Sequence, residues 1–147
     1  MANAQHGFFL EDIQVGQSAE VAKRFTQEDV EGFANISGDN NPLHLDPEFA
    51  ATTRFGSPII HGMLTTSLWS TIVGTLLPGP GCAYMSQSLT FFKPVRVGDR
   101  VEAKLTVHEI DHAKQRVTLN SEAYVDGVLV AQGIAKTWVP KRSLQDK

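Results

Sequence analysis

The apolar residues change period near residue 82, and that change limits the fold more than any other feature of the chain. Upstream the spacing is helical. Between 62 and 76, Met63, Leu64, Leu68, Trp69, Ile72, Val73 and Leu76 cover most of a helix circumference, the pattern of a helix buried on most sides. Pro78-Gly79-Pro80-Gly81 then stops it. Downstream, Val101, Ala103, Leu105 and Val107 alternate with Arg100, Glu102, Lys104 and Thr106. Val117, Leu119, Ser121, Ala123 and Val125 repeat the same step of two. Asp126-Gly127, set between Val125 and Val128, is the signal of a two-residue hairpin. Four antiparallel strands are therefore expected, over 82–92, 99–110, 114–125 and 128–138.

Residues 18–25 read as a further strand at the start. Thr26-Gln27-Glu28-Asp29 opens a helix with Thr26 as N-cap and Asp29 three positions on, and Gly38 ends that helix. Asp46-Pro47 reads as an N-cap with an N1 proline, starting a short helix through about 53, which Phe55-Gly56-Ser57-Pro58 breaks. The order is strand, short helices, one long helix, four strands. This is α+β, with an antiparallel sheet curling around a long central helix, the order expected of a hot-dog fold.

No linker, repeat or low-complexity segment divides the chain, so one domain over 1–147 is expected. A net charge of −3 with scattered basic residues argues against a nucleic-acid partner. The small cluster Lys141, Arg142 and Lys147 reads as a solvated tail. No run approaches the ~18 apolar residues that span a bilayer, so no membrane partner is expected. Residues 1–11 lack the basic start and apolar run of a signal peptide. The single cysteine, Cys82, excludes an internal disulfide, reads as a packed thiol, and fits a reducing, cytoplasmic setting.

The chemistry concentrates in Ser37-Gly38-Asp39-Asn40-Asn41-Pro42-Leu43-His44, which holds an acid and an imidazole five positions apart on a stiff turn. Asp39 could instead cap the turn and His44 could be a half-buried structural histidine. Two observations favour chemistry: the pair lies between two helices, and His61-Gly62-Met63 opens the long buried helix. A helix N-terminus offers free backbone N–H groups and a positive dipole end, and Gly62 would let a substrate oxygen approach closely. Asp39 and His44 beside Gly62 thus make a water-activating dyad next to an oxyanion hole. No third ligand of suitable spacing is visible, so no metal is expected.

The segment from Ser37 to His44, with Phe33 shortly before it and Ala50 after it, resembles the signature of the MaoC-like, or type 2, enoyl-CoA hydratases. His61-Gly62-Met63-Leu64, the Pro-Gly-Pro-Gly stop, Ser86-Gln87-Ser88-Leu89-Thr90-Phe91, Pro94-Val95 and Val97-Gly98-Asp99 extend the likeness over about 12–138. They are similar to the short single-domain (R)-specific enoyl-CoA hydratases that supply monomers for polyhydroxyalkanoate synthesis.

The resemblance implies a hydro-lyase that adds water syn across a trans-2-enoyl-CoA, giving an (R)-3-hydroxyacyl-CoA. Asp39 and His44 would hold the water and move its protons, while the Gly62 N–H would stabilise the thioester oxygen. No cofactor is implied, since CoA belongs to the substrate. Asn41 is a candidate to orient the dyad, and Ser70 a candidate to approach the site. Leu68, Trp69, Ile72 and Val73 are candidates for the acyl pocket, or for plain core. His61 reads as structural, and His108 and His112 as exposed. Lys93, Arg96, Arg116 and Lys136 are weighed against CoA phosphates and read by default as a solvated sheet face.

A homodimer follows from the fold as well, because a lone curled sheet leaves an edge strand open. Three readings compete: a 3-hydroxyacyl-carrier-protein dehydratase, an acyl-CoA thioesterase and a non-enzymatic acyl-CoA sensor. Acyl chain length and pathway (polyester supply, β-oxidation or fatty-acid synthesis) stay open at this point.

Overall fold

A computed structural model describes residues 6–142. Lys147 of the expected basic tail lies outside them. Ten elements follow the anticipated order, beginning with a 3-10 turn at Leu10–Asp12. After it come β1 (Ser18–Arg24), α1 (Gln27–Ser37), α2 (Pro42–Leu45), α3 (Pro47–Ala51) and α4 (Gly62–Thr75). The remaining strands are β2 (Ala83–Phe91), β3 (Arg100–Asp111), β4 (Arg116–Val125) and β5 (Val128–Trp138). They form one antiparallel sheet in the order β1-β3-β4-β5-β2.

The strand faces obey the period of two. Val101, Ala103, Leu105 and Val107 of β3, with Val117, Leu119 and Ala123 of β4, are buried. They share one core with Leu68, Trp69, Ile72 and Val73 of α4. Each large apolar side chain so buried contributes about 1.5–3 kcal/mol. Trp69 also donates its indole N–H to the Glu122 carbonyl at 3.0 Å, which fixes α4 to β4. The β4–β5 hairpin turns at Asp126 (φ 50) and Gly127 (φ 77), the left-handed pair that suits the twist of adjacent strands.

Helix α1 starts with the full reciprocal box. The Thr26 hydroxyl accepts from the Asp29 N–H, and the Asp29 carboxylate accepts from the Thr26 N–H at 2.8 Å. Cys82 is half-buried with its thiol on the Val73 carbonyl, and burial pushes the thiol above its ordinary value. His108 and His112 are exposed, as expected.

Two local expectations change. The second half of the Asp–His turn closes into a helical turn, α2, because Asn41 caps it and Pro42 occupies its first position. Arg142 is no loose tail residue. Its guanidinium meets the Asp12 carboxylate at 2.6 Å and lies over the Phe9 ring, tying the end of the sheet to the opening 3-10 turn.

Candidate active site

Helix α1 delivers Asp39 through a defined exit. Gly38 caps it in the left-handed region (φ 79), which a residue without Cβ adopts freely, and turns the chain sharply out of the helix. The Ser37 hydroxyl donates to the Phe33 carbonyl at 2.6 Å and accepts from the Asp39 N–H at 3.1 Å. Asn41 N–H donates to the Asp39 carboxylate at 3.3 Å, and the Asn41 side chain accepts from Leu43 N–H at 3.0 Å. Asn41 therefore shapes the backbone and is not among the residues that line the cleft.

His44 sits on α2, which is tied to the next segment from both sides. Ile59 N–H donates to the Leu43 carbonyl at 3.3 Å, and the His44 Nδ1 contacts the Ile59 carbonyl at 2.7 Å. A carbonyl only accepts, so Nδ1 carries the hydrogen and the Nε2 of the neutral ring carries the lone pair. The ring is thereby held by one nitrogen and free to trade a proton at the other.

His61 is the residue whose role the sequence understated. It is 2% exposed, at the N-cap position of α4, with its ring packed between Phe33 (4.7 Å between centroids) and His44 (4.0 Å). Its Nε2–H donates to the Asp39 backbone carbonyl at 2.9 Å. The structural role expected for it is thus specific: it locks the acid's backbone against the base's ring. Its place beside Gly62 was the visible signal.

Asp39, His44 and His61 bring their ligand-type atoms within 4.8 Å of one another. This corrects the expectation that no third metal-ligand candidate accompanies the dyad, since folding supplies one from 17 residues beyond His44. The two imidazole rings are tilted by 31° with their centroids 4.0 Å apart. The span is also one that a water can bridge. Two hydrogen bonds of ordinary length from one water reach groups ~4.4 Å apart.

A cleft of about 600 Å³, within the size range of small-molecule sites, opens beside these groups. Asp39, His44, His61 and Gly62 all line it. Its apolar wall comes from Ile59, Ile60, Met63, Phe91, Phe92, Val95, Val130 and Ala131. Gly62 is the first residue of α4, and no side chain caps that end. A Cβ there would lie 2.6 Å from the Phe91 ring, so the ring rests directly against the glycine at the helix start.

The expected acyl-pocket residues Leu68, Trp69, Ile72 and Val73 do not line this cleft; they are core, 6% exposed or less. Ser70 does not reach the cleft either, and is exposed. The reason is rotation and rise: only the first turns of α4 border the cleft, through Gly62, Met63 and Thr65.

Among the basic candidates, Lys93 and Arg96 line the cleft while Arg116 and Lys136 do not. Arg96 spends its guanidinium on the carbonyls of Phe55, Ser57 and Pro58 and so holds the loop before Ile59. Arg54, which the sequence reading passed over, lines the cleft as an exposed cation above the Phe55 ring. Its signal was weak, a lone arginine after a short helix.

The chain is similar to known proteins over most of its length. A (R)-specific enoyl-CoA hydratase of Rhodospirillum rubrum is 44% identical over 134 residues, covering 91% of this chain and 93% of that protein. A 3-hydroxybutyryl-CoA dehydratase of Methylorubrum extorquens is 44% identical over 138 residues, covering 94% and 88%. The solved structure of an (R)-hydratase from A. caviae involved in PHA biosynthesis superposes with a TM-score of 0.85 at 46% identity, covering 88% of this chain and 99% of that one. The curled sheet around α4 is the hot-dog fold of such structures. The model of the MaoC like domain matches residues 9–127, and the chain belongs to that family.

Proposed function

We propose that the protein is an (R)-specific enoyl-CoA hydratase. It adds water syn across the trans-2 double bond of an enoyl-CoA and gives an (R)-3-hydroxyacyl-CoA, with the dehydration as the reverse. The observation that carries this reading is the convergence of Asp39 and His44 on one cleft beside the uncapped start of α4 at Gly62.

The chemistry follows from the geometry. In this cycle the Asp39 carboxylate and the free Nε2 of His44 hold the water between them, since ligand-type atoms of the two residues lie within 4.8 Å. As the water oxygen bonds to C3, His44 Nε2 takes one of its protons, and the π electrons move toward the thioester oxygen. Gly62 N–H, at the positive end of α4, receives that developing charge. The imidazolium then returns its proton to C2 on the face the water attacked, which makes the addition syn. Nδ1, held on Ile59, lets the ring do this without turning.

CoA is the carrier in this reading. The substrates in the names of the relatives support it, and so do Arg54 and Lys93, which we assign to the CoA phosphates. The cycle uses no metal or separate cofactor. A cytoplasmic setting is proposed from the single thiol. No helix of the described residues is long and apolar enough to cross a membrane. The protein acts as a homodimer joined through β2, the sheet edge without charged residues.

The direct test is hydration of crotonyl-CoA by purified protein, with the product offered to an (S)-specific 3-hydroxyacyl-CoA dehydrogenase. Hydration without rapid NADH formation is expected, and full activity should survive prior chelation. Rapid NADH formation would refute the (R) assignment. Release of free CoA thiol in place of hydration would make the protein a thioesterase.

A further inference from the structure

Thr65 buries a hydroxyl without a partner on the wall of the catalytic cleft. The residue is 2% exposed, and its Oγ1 makes no hydrogen bond within the described structure. Its neighbours on α4 behave otherwise. Thr66 donates to the Gly62 carbonyl at 3.2 Å, Ser67 to Leu64 and Thr75 to Thr71, the usual recourse of a helical hydroxyl. Thr65 forgoes that bond although its own N–H reaches the His61 carbonyl at 3.1 Å in regular helix geometry. A buried hydroxyl left unpaired is costly, so its acceptor should come from outside the chain.

The position of Thr65 says where that acceptor sits. Helical side chains lean toward the N-terminus and cover the preceding turn, which here is His61 to Gly62. The other orphan nearby, His61 Nδ1, bears a lone pair because Nε2 holds the hydrogen given to Asp39. It cannot donate to an incoming oxygen. Thr65 is therefore the side-chain donor on α4 that shares the cleft with the Gly62 amide.

We propose that Thr65 is a second oxyanion donor, its hydroxyl joining the Gly62 N–H on the thioester oxygen. This rests on the thioester reading above. It makes Thr65 a catalytic residue, and it explains why an otherwise apolar wall carries an unsatisfied hydroxyl one turn into the helix. A water held between Thr65 and His61 is the competing occupant.

The test pairs turnover with binding. Thr65→Val keeps the shape and removes the donor. Its kcat for crotonyl-CoA hydration should fall on the order of 10- to 100-fold, a larger change than the roughly few-fold rise in KM. Its thermal midpoint should hold or rise, because an unsatisfied buried hydroxyl is gone. Thr65→Ser should recover most of the rate, and Thr65→Ala supplies a second hydroxyl-free variant if valine packs badly.

Independently of turnover, the unchanged protein should bind butyryl-CoA more tightly than S-butyl-CoA, the thioether that lacks the oxygen. Thr65→Val should lose about threefold or more of that margin. Valine and alanine variants with unaltered kcat and an unaltered margin would overturn the proposal in favour of the water. If the unchanged protein fails to hydrate crotonyl-CoA at all, the hydratase reading falls, and the binding margin still judges Thr65.

Discussion

At the scale of single residues, the way His44 is held is what divides the work of the dyad in the proposed cycle. Its Nδ1 is committed to the Ile59 carbonyl, so only Nε2 is free to take and return a proton. Asp39 reaches the cleft on a backbone locked by His61, and in the proposed cycle it contributes charge and water alignment. The two substitutions should therefore differ in kind. Asp39→Asn keeps an oxygen that can accept from the water, and kcat should drop by about 10²–10³-fold. His44→Gln removes the relay itself and should cost about 10³–10⁴-fold, the upper range for a positioned acid–base group. Steady-state hydration of crotonyl-CoA measures both. An Asp39→Asn protein less active than His44→Gln would exchange the roles.

Among the elements, helix α1 matters because its C-terminal end aims Asp39, and its N-terminal end is an isolated, measurable device. The Asp29 carboxyl is held below its ordinary value of 3.8, first by the bond it accepts from the Thr26 backbone N–H and also by Lys23. A carboxyl lowered in the folded state stabilises fully above its unfolded value, and that contribution is lost as pH falls through the folded value. Thr26→Ala should cost about 1 kcal/mol in urea unfolding at neutral pH. The contribution of Asp29, read as the stability gap to Asp29→Ala, should persist from pH 7 down to about 4 and close below that. A gap that instead widens on acidification would mean that the carboxyl is not held by the cap.

The same element scale shows what the sequence could disclose. Caps, hairpin and strands announce themselves through local residue types, and α1, α4, the Asp126-Gly127 turn and the alternating strands all came out of the chain as written. The dyad was legible because its two members share one turn. Arg142 on Asp12, and His61 under Asp39, are contacts between distant segments with no local imprint. The choice between acyl wall and core for Leu68, Trp69, Ile72 and Val73 stayed open in the sequence for a related reason, and the structure makes them core. A helix apolar on most sides does not say which side meets the core and which the cleft, and only the packing of the sheet, chiefly β3 and β1, against α4 decides it.

At the scale of the whole molecule, the two edges of the sheet are unequal, and the inequality argues for a partner. Edge β1 carries Glu20, Lys23 and Arg24, charges that discourage strand addition. Edge β2 reads Ala-Tyr-Met-Ser-Gln-Ser-Leu-Thr-Phe, without a charge, and leaves Met85 51% and Phe91 46% exposed. Phe92, the next residue, is 49% exposed as well. An open, uncharged edge beside exposed aromatics is a surface that a second copy would cover by continuing the sheet, as proposed above. Phe91 also covers Gly62, so the edge proposed to pair is the edge that roofs the proposed oxyanion amide. Dimerisation and activity should therefore fall together. Sedimentation should give a dimer for the unchanged chain, whereas Met85→Lys should shift it toward monomer and lower specific activity, with partial recovery at high protein concentration. A monomeric unchanged chain at full specific activity would refute the pairing. A Met85→Lys protein that is monomeric yet fully active would separate the edge from the site and leave β2 with a purely architectural role.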